Sequence, residues 1–165
     1  MKVIKAKTAG FCFGVKRAVD TVYKQVDTKC GQIYTYGPII HNEEVIKDMR
    51  DKGVIVLRSE EDLDMISQGT VIIRSHGVEK RIYEKIEQKG LRIVDATCPF
   101  VKKIHNIVSE KSGEGFHIII IGNPEHPEVV GIKGWAKDNV TVVHRPHQLQ
   151  AAHRELIQAD ILILL

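Results

Sequence analysis

Apolar positions along this chain fall into two alternating patterns. Short continuous runs occupy Val3–Ala6, Ile33–Tyr36, Val54–Leu57, Val71–Arg74, Leu91–Val94, Ile118–Ile121, Val140–Val143 and the terminal Ile161–Leu165. Runs of this length, without strict polar alternation, predict strands buried on both faces. Between them, Val15, Ala18, Val19, Val22 and Tyr23 fall on one helical face. So do Val78, Ile82 and Ile86, with Gly90 placed to end their helix. Ser59-Glu60-Glu61-Asp62 predicts a further helix start, with the serine as its cap. Strands alternating with helices predict an α/β fold whose parallel sheets are flanked by helices.

The pattern also repeats. At an offset of about 86 residues, Cys12-Phe13-Gly14-Val15-Lys16-Arg17 falls on Cys98-Pro99-Phe100-Val101-Lys102-Lys103. At about 85, the segment from Gly37 through His41, Glu43 and Val45 falls on Gly122 through His126, Glu128 and Val130. Two pseudo-repeated units are therefore expected, over residues 1–97 and 98–165. The first runs on through Arg74-Ser75-His76-Gly77, whereas the second stops before a counterpart of Ser75-His76 and is read as cut short.

Composition narrows the function classes. With 165 residues, 43% apolar and 27% charged, the chain can bury a real core in one domain or two small ones. A net charge of +3 and 5% aromatics give no reason to expect nucleic-acid binding. The apolar runs are too short to cross a bilayer, and Met1-Lys2-Val3-Ile4-Lys5 opens no signal peptide, so no membrane association is expected. Three cysteines and no secretory signal point to a reducing, cytoplasmic setting in which disulfides are a poor first expectation.

The candidate chemistry rests on Cys12, Cys98 and three histidines. Each of the two cysteines directly precedes a helix with basic residues in its first turn, a setting that favours the thiolate that binds metal or reacts. The pair lacks Cys-x-x-Cys spacing, and a ligand set gathered from distant segments suits an iron–sulfur cluster or zinc equally. Two cysteines cannot complete a four-thiolate cluster. Cys30, in a Lys29-Cys30-Gly31 turn, reads as a small hydrophobe or an inert surface thiol. His41, His76 and His126 each lie where a strand ends before a helix, the place where parallel sheets bind ligands and helix starts favour anions. Together with Ser75 and main-chain N–H groups they would form a phosphate or diphosphate site. His105, His117, His144, His147 and His153 read as structural or surface residues. Glu128 could deliver protons beside a bound ligand or simply serve a helix start, as its twin Glu43 does. A non-catalytic phosphate-binding α/β module and a zinc-binding unit are the alternatives these residues leave open.

Five segments taken together, Gly10–Val19, Gly37–Asn42, Ile73–Val78, Asp95–Val101 and Gly122–Val129, resemble the 4-hydroxy-3-methylbut-2-enyl diphosphate reductases of the non-mevalonate pathway of isoprene biosynthesis. The resemblance implies an iron–sulfur oxidoreductase with an oxygen-sensitive [4Fe–4S] cluster held by three cysteines, one iron being left open to the substrate. The reaction would be a reductive dehydroxylation of (E)-4-hydroxy-3-methylbut-2-enyl diphosphate to isopentenyl and dimethylallyl diphosphates. Cys12 and Cys98 would be cluster ligands, His41, His76 and His126 would hold the diphosphate, and Glu128 would belong to the proton relay. Electrons would come from a ferredoxin- or flavodoxin-type donor. The resemblance further implies three α/β units around the cluster, with the third cysteine in a third unit and the first strand, residues 1–7, completing that unit's sheet. The chain would then be the N-terminal two-thirds, inactive or nearly so by itself.

Overall fold

A computed structural model of the chain describes residues 2–28, 31–145, 148 and 161–164. The first unit alternates helix and strand: α1 (Phe13–Thr28), β1 (Ile33–Tyr36), α2 (Glu43–Asp51), β2 (Ile55–Leu57), α3 (Glu60–Asp64), β3 (Thr70–Ile73), α4 (Lys80–Gln88) and β4 (Arg92–Asp95). Its four strands form one parallel sheet in the order β2-β1-β3-β4. The second contains α5 (Pro99–Gly113), β5 (His117–Ile121), α6 (Pro127–Lys133), β6 (Val140–Val143) and β7 (Ile161–Leu164), with a parallel sheet in the order β6-β5-β7.

The central strand β3 shows why the sheet needs helices on both faces. All four of its residues are buried. Successive side chains point to opposite faces, so Ile72 packs with Ala18, Val22 and Met49 of α1 and α2. Val71 and Ile73 pack on the other side with Leu63, Ile82 and Ile86 of α3 and α4. Each fully buried isoleucine is worth about 1.5–3 kcal/mol over leaving it in water. The helix start expected at Ser59 is present, its hydroxyl accepting the Asp62 N–H at 3.3 Å, and Asn42 likewise caps α2 by accepting the Val45 N–H at 3.1 Å.

The repeat is visible in hydrogen bonds as well as in order. Strand β1 lies between β2 and β3 as β5 lies between β6 and β7. The Gly37 N–H donates to the Leu57 carbonyl at 2.8 Å, and its twin Gly122 N–H donates to the Val143 carbonyl at 3.0 Å.

Two details differ from expectation. Val3–Ala6 forms no strand: Val3 and Ile4 are 78% and 80% exposed, and residues 2–6 have no ladder partner among the described residues. An apolar run becomes a strand only when a neighbouring edge takes up its backbone N–H and C=O groups. Strands β3 and β4 are shifted by one residue from the apolar runs, because Thr70 pairs with Ile33 and Asp95 with Ile73. No helix among the described residues is long and apolar enough to cross a membrane.

Candidate functional site

The histidines singled out above come together at the C-terminal ends of the strands. His41 follows the β1 loop, His76 sits in the turn after β3, and His126 caps α6. The ring centres of His41 and His76 are 4.7 Å apart, and those of His76 and His126 are 6.1 Å apart. His76 stands between the other two, so the group spans both sheets.

Backbone hydrogen bonds hold the loops in this arrangement. The Ser75 N–H and hydroxyl both donate to the Ile39 carbonyl, at 3.2 and 3.0 Å. This braces the His76 turn against the His41 loop. The Ser75 carbonyl in turn accepts the Cys98 N–H at 2.9 Å, tying the cysteine to the same turn. Ser75, expected to join the anion site, is therefore a buried brace, 5% exposed, with its hydroxyl directed at the neighbouring loop. Gly77 closes the turn through its N–H to the Arg74 carbonyl at 3.0 Å, with φ +72°, a conformation costly for residues bearing a Cβ.

The two cysteines stand at the starts of α1 and α5. Cys12 is exposed and Cys98 half-exposed, both as free thiols. A Cβ on Gly14 would lie 2.6 Å from Cys98 Sγ, so the Cys98 thiol rests against the first turn of α1, two residues beyond Cys12. Arg17 joins the helices: its guanidinium donates to the carbonyls of Thr97 at 2.9 Å and Asp95 at 3.3 Å. Asp95 orders the approach to Cys98, accepting the Thr97 N–H at 2.9 Å and Lys102 Nζ at 2.6 Å. Burial pushes the Asp95 pKa up, but those hydrogen bonds outweigh it and leave the carboxyl below its usual range. Among the described residues no trio of His, Cys, Asp or Glu forms a complete metal site.

The electrostatic setting of the histidines favours an anion. Burial first, then the nearby His41, Arg74 and His126, push the His76 pKa from 6.5 down to about 4. A separate cavity of about 670 Å³, which none of the three histidines lines, has Lys47, Arg50, Arg58 and Arg74 on its wall together with Glu43 and Glu44. His126 Nδ1 accepts the Glu128 N–H at 3.3 Å, which leaves Nε2–H as the ring's donor. Glu128, half-buried, shares with His126 the wall of a second cavity of about 220 Å³, otherwise lined by Ile104, Ile120, Ile121, Val129 and Ile132. Glu43 sits in the first turn of α2, as expected of a helix-start residue.

The depressed His76 pKa has a testable sign. In the folded chain His76 stays neutral well below pH 6.5, while the unfolded chain takes up a proton there. Its contribution to stability is therefore complete above pH 6.5 and is lost as pH falls toward 4. An anion beside the ring would favour its charged form, so, with His76 as an anion ligand, binding of inorganic pyrophosphate near pH 6 would carry proton uptake by its ring. Titration calorimetry in buffers of different ionisation heat should show this uptake in the wild type and lose it in His76→Gln. Identical proton balances in the two would contradict the placement of the anion at His76.

Of the remaining residues, His105 is buried in α5, His117 Nε2 lies 2.9 Å from Thr141 Oγ1, and His144 is exposed. Cys30, His147 and His153 lie outside the described residues. The hydrogen bonds by which Arg17 and Asp95 order the approach to Cys98 are not evident from the sequence. The repeat carried a signal for Arg17, whose twin is Lys103, and Asp95 lies three residues before Cys98.

Comparison with known proteins identifies the family and the shared fold. The family described as LytB protein matches residues 3–164. The chain is 48% identical over 145 residues to a 4-hydroxy-3-methylbut-2-enyl diphosphate reductase of Caldanaerobacter subterraneus subsp. tengcongensis, covering 87% of this chain and 50% of that protein. It is 44% identical over 151 residues to the reductase of Clostridioides difficile, covering 91% and 53%. Among solved structures, the E-1-hydroxy-2-methyl-but-2-enyl-4-diphosphate reductase of Plasmodium falciparum superposes with a TM-score of 0.86 at 30% identity, over 96% of this chain and 49% of that one. An (E)-4-hydroxy-3-methyl-but-2-enyl diphosphate reductase, described as the terminal enzyme of the non-mevalonate pathway, superposes with a TM-score of 0.77 at 37% identity. The chain thus spans about half the length of the relatives it matches. With a family match running over nearly its whole length and a shared fold, the chain belongs to the LytB protein family.

Proposed function

We propose that the protein is an oxidoreductase that reductively dehydroxylates (E)-4-hydroxy-3-methylbut-2-enyl diphosphate to isopentenyl and dimethylallyl diphosphates. The observation that carries this reading is the convergence of His41, His76 and His126, with Cys98 hydrogen-bonded to the His76 turn. In the reaction the allylic C–O bond breaks, the oxygen leaves as water with one added proton, and the carbon skeleton takes two electrons and a second proton.

In this reading His41, His76 and His126 hold the diphosphate through ring N–H donors, and a proton taken up by His76 adds a charge-assisted bond. Glu128, beside His126, belongs to the relay that delivers a proton to the departing oxygen. Arg17, Asp95 and Ser75 keep the Cys98 loop in register with the His76 turn. Cys12 and Cys98 are two thiol donors of an iron–sulfur cluster. The fit rests on their donor chemistry, on two adjacent helix starts that favour an anionic group, and on the absent Cβ of Gly14 that makes room for Cys98 Sγ. The third thiol would come from elsewhere in the protein. When bound, the cluster supplies the reducing electrons one at a time, passed on from a ferredoxin- or flavodoxin-type donor.

The test is the natural full-length protein purified without oxygen. Bound iron and acid-labile sulfide in equal amounts are expected, with a visible spectrum that changes when the diphosphate substrate is added. Zinc in place of iron would overturn the reading in favour of a zinc-binding unit.

A further inference from the structure

His105 occupies a place that the proposed chemistry does not use. It lies in the middle of α5, the helix capped by Cys98, and is 1% exposed with no hydrogen-bond partner for its Nε2 among the described residues. Buried ring nitrogens ordinarily find a hydrogen bond, so what this ring does must be sought in its packing.

One face of the imidazole stacks on Trp135, with ring centres 5.2 Å apart and planes inclined by 18°. Trp135 is itself fixed from the first unit: its Nε1–H donates to the Val78 carbonyl at 2.9 Å, and the Tyr83 ring meets it edge-on at 5.7 Å. The imidazole also fills the space beside Gly77, where a Cβ would collide with His105 Cε1. Near its Nε2 runs α6: a Cβ on Gly131 would lie 3.6 Å from that nitrogen, from the His76 carbonyl oxygen and from the Gly77 carbonyl carbon. A single ring therefore touches the turn that carries His76 and the helix capped by His126. Only Gly77 lets the ring approach so closely, since a Cβ on Gly131 would make ordinary van der Waals contact with all three atoms.

We propose that His105 is a positioning residue, a buttress packed beside the junction of Gly77 and Gly131 that holds the His76 turn against α6 and so sets the span of the anion site. Trp135 is its backstop. This rests on the reading of the three histidines as an anion site. The ring does its work uncharged: burial holds the His105 pKa near 4, with Asp95 raising it and Lys102 lowering it. Replacing it with alanine would leave a ring-shaped void into which the His76 turn and α6 can relax. Displacing one ligand group by about 1 Å can cost up to ~100-fold in a well-oriented site.

The experiment uses the natural full-length protein and inorganic pyrophosphate, read by titration calorimetry, with free imidazole as a chemical replacement for the lost ring. His105→Ala should weaken pyrophosphate binding about 10-fold, equivalent to about 1.4 kcal/mol, and millimolar imidazole should restore most of it by filling the void. Trp135→Phe, which keeps a stacking ring but loses the bond to Val78, should weaken binding about threefold. Unchanged pyrophosphate affinity in both variants would overturn the proposal, as would a loss in His105→Ala that imidazole does not recover. A wild type that binds no pyrophosphate would overturn the anion-site reading itself, and this inference with it.

Discussion

Replacing Cys98 with serine should leave the fold intact while removing iron and activity together. The thiol makes no cap hydrogen bond, is half-exposed, and stands at the N-cap of α5. Serine is a preferred residue there, so the change in stability should stay within about 1 kcal/mol and can favour the variant. A hydroxyl is a poor replacement for a thiolate at an iron–sulfur cluster. The loss of turnover should therefore exceed the ~10–100-fold that removing an outer partner of a metal ligand costs. Thermal melting, iron content and turnover, measured on one preparation of the natural full-length protein, separate these effects. The same substitution at Cys30 should leave iron content unchanged. Equal loss of iron from Cys30→Ser and Cys98→Ser would contradict the assignment of ligands.

His126 allows an equally sharp division between structure and binding. Its Nδ1 caps α6 by accepting the Glu128 N–H, and its Nε2–H remains for the anion. Removing a hydrogen bond to a charged group costs about 1.5–3 kcal/mol, so His126→Ala should weaken pyrophosphate binding roughly 10–100-fold. It should also lose up to about 1 kcal/mol of stability with the cap. His126→Asn distinguishes the two, because asparagine is a good N-cap but its shorter side chain does not reach the position of Nε2. The asparagine variant should melt like the wild type and bind pyrophosphate as poorly as His126→Ala. If it bound like the wild type, His126 would be a helix cap and no ligand of the anion.

What the chain discloses before folding depends on how local the cause is. Strands β3 and β5 are legible because positions buried on both faces of a sheet must be apolar in succession, as in Val71–Ile73 and Ile118–Ile120. The meeting of His41 and His76 follows from their places after neighbouring parallel strands. The repeat extends the expectation to His126. Val3–Ala6 forms no strand because a strand is a property of a pair, and the resemblance assigns this run to the sheet of a third unit, with no partner edge among the described residues. Ser75 looked like an anion ligand since nothing in its neighbours reveals that Ile39, thirty-six positions away, would take its hydroxyl. His105 was partly legible: it falls on the same helical face as Val101, Val108 and Ser112, all buried. Its stacking on Trp135 was not, because that contact requires α5 and α6 to be packed first.

The most direct test of the central claim is anaerobic turnover of (E)-4-hydroxy-3-methylbut-2-enyl diphosphate by the natural full-length protein, with a chemical one-electron reductant and product analysis. Isopentenyl and dimethylallyl diphosphates should form in the wild type and not in Cys98→Ser. A wild type that carries a full complement of iron and sulfide yet leaves the substrate unchanged would contradict the proposed reaction.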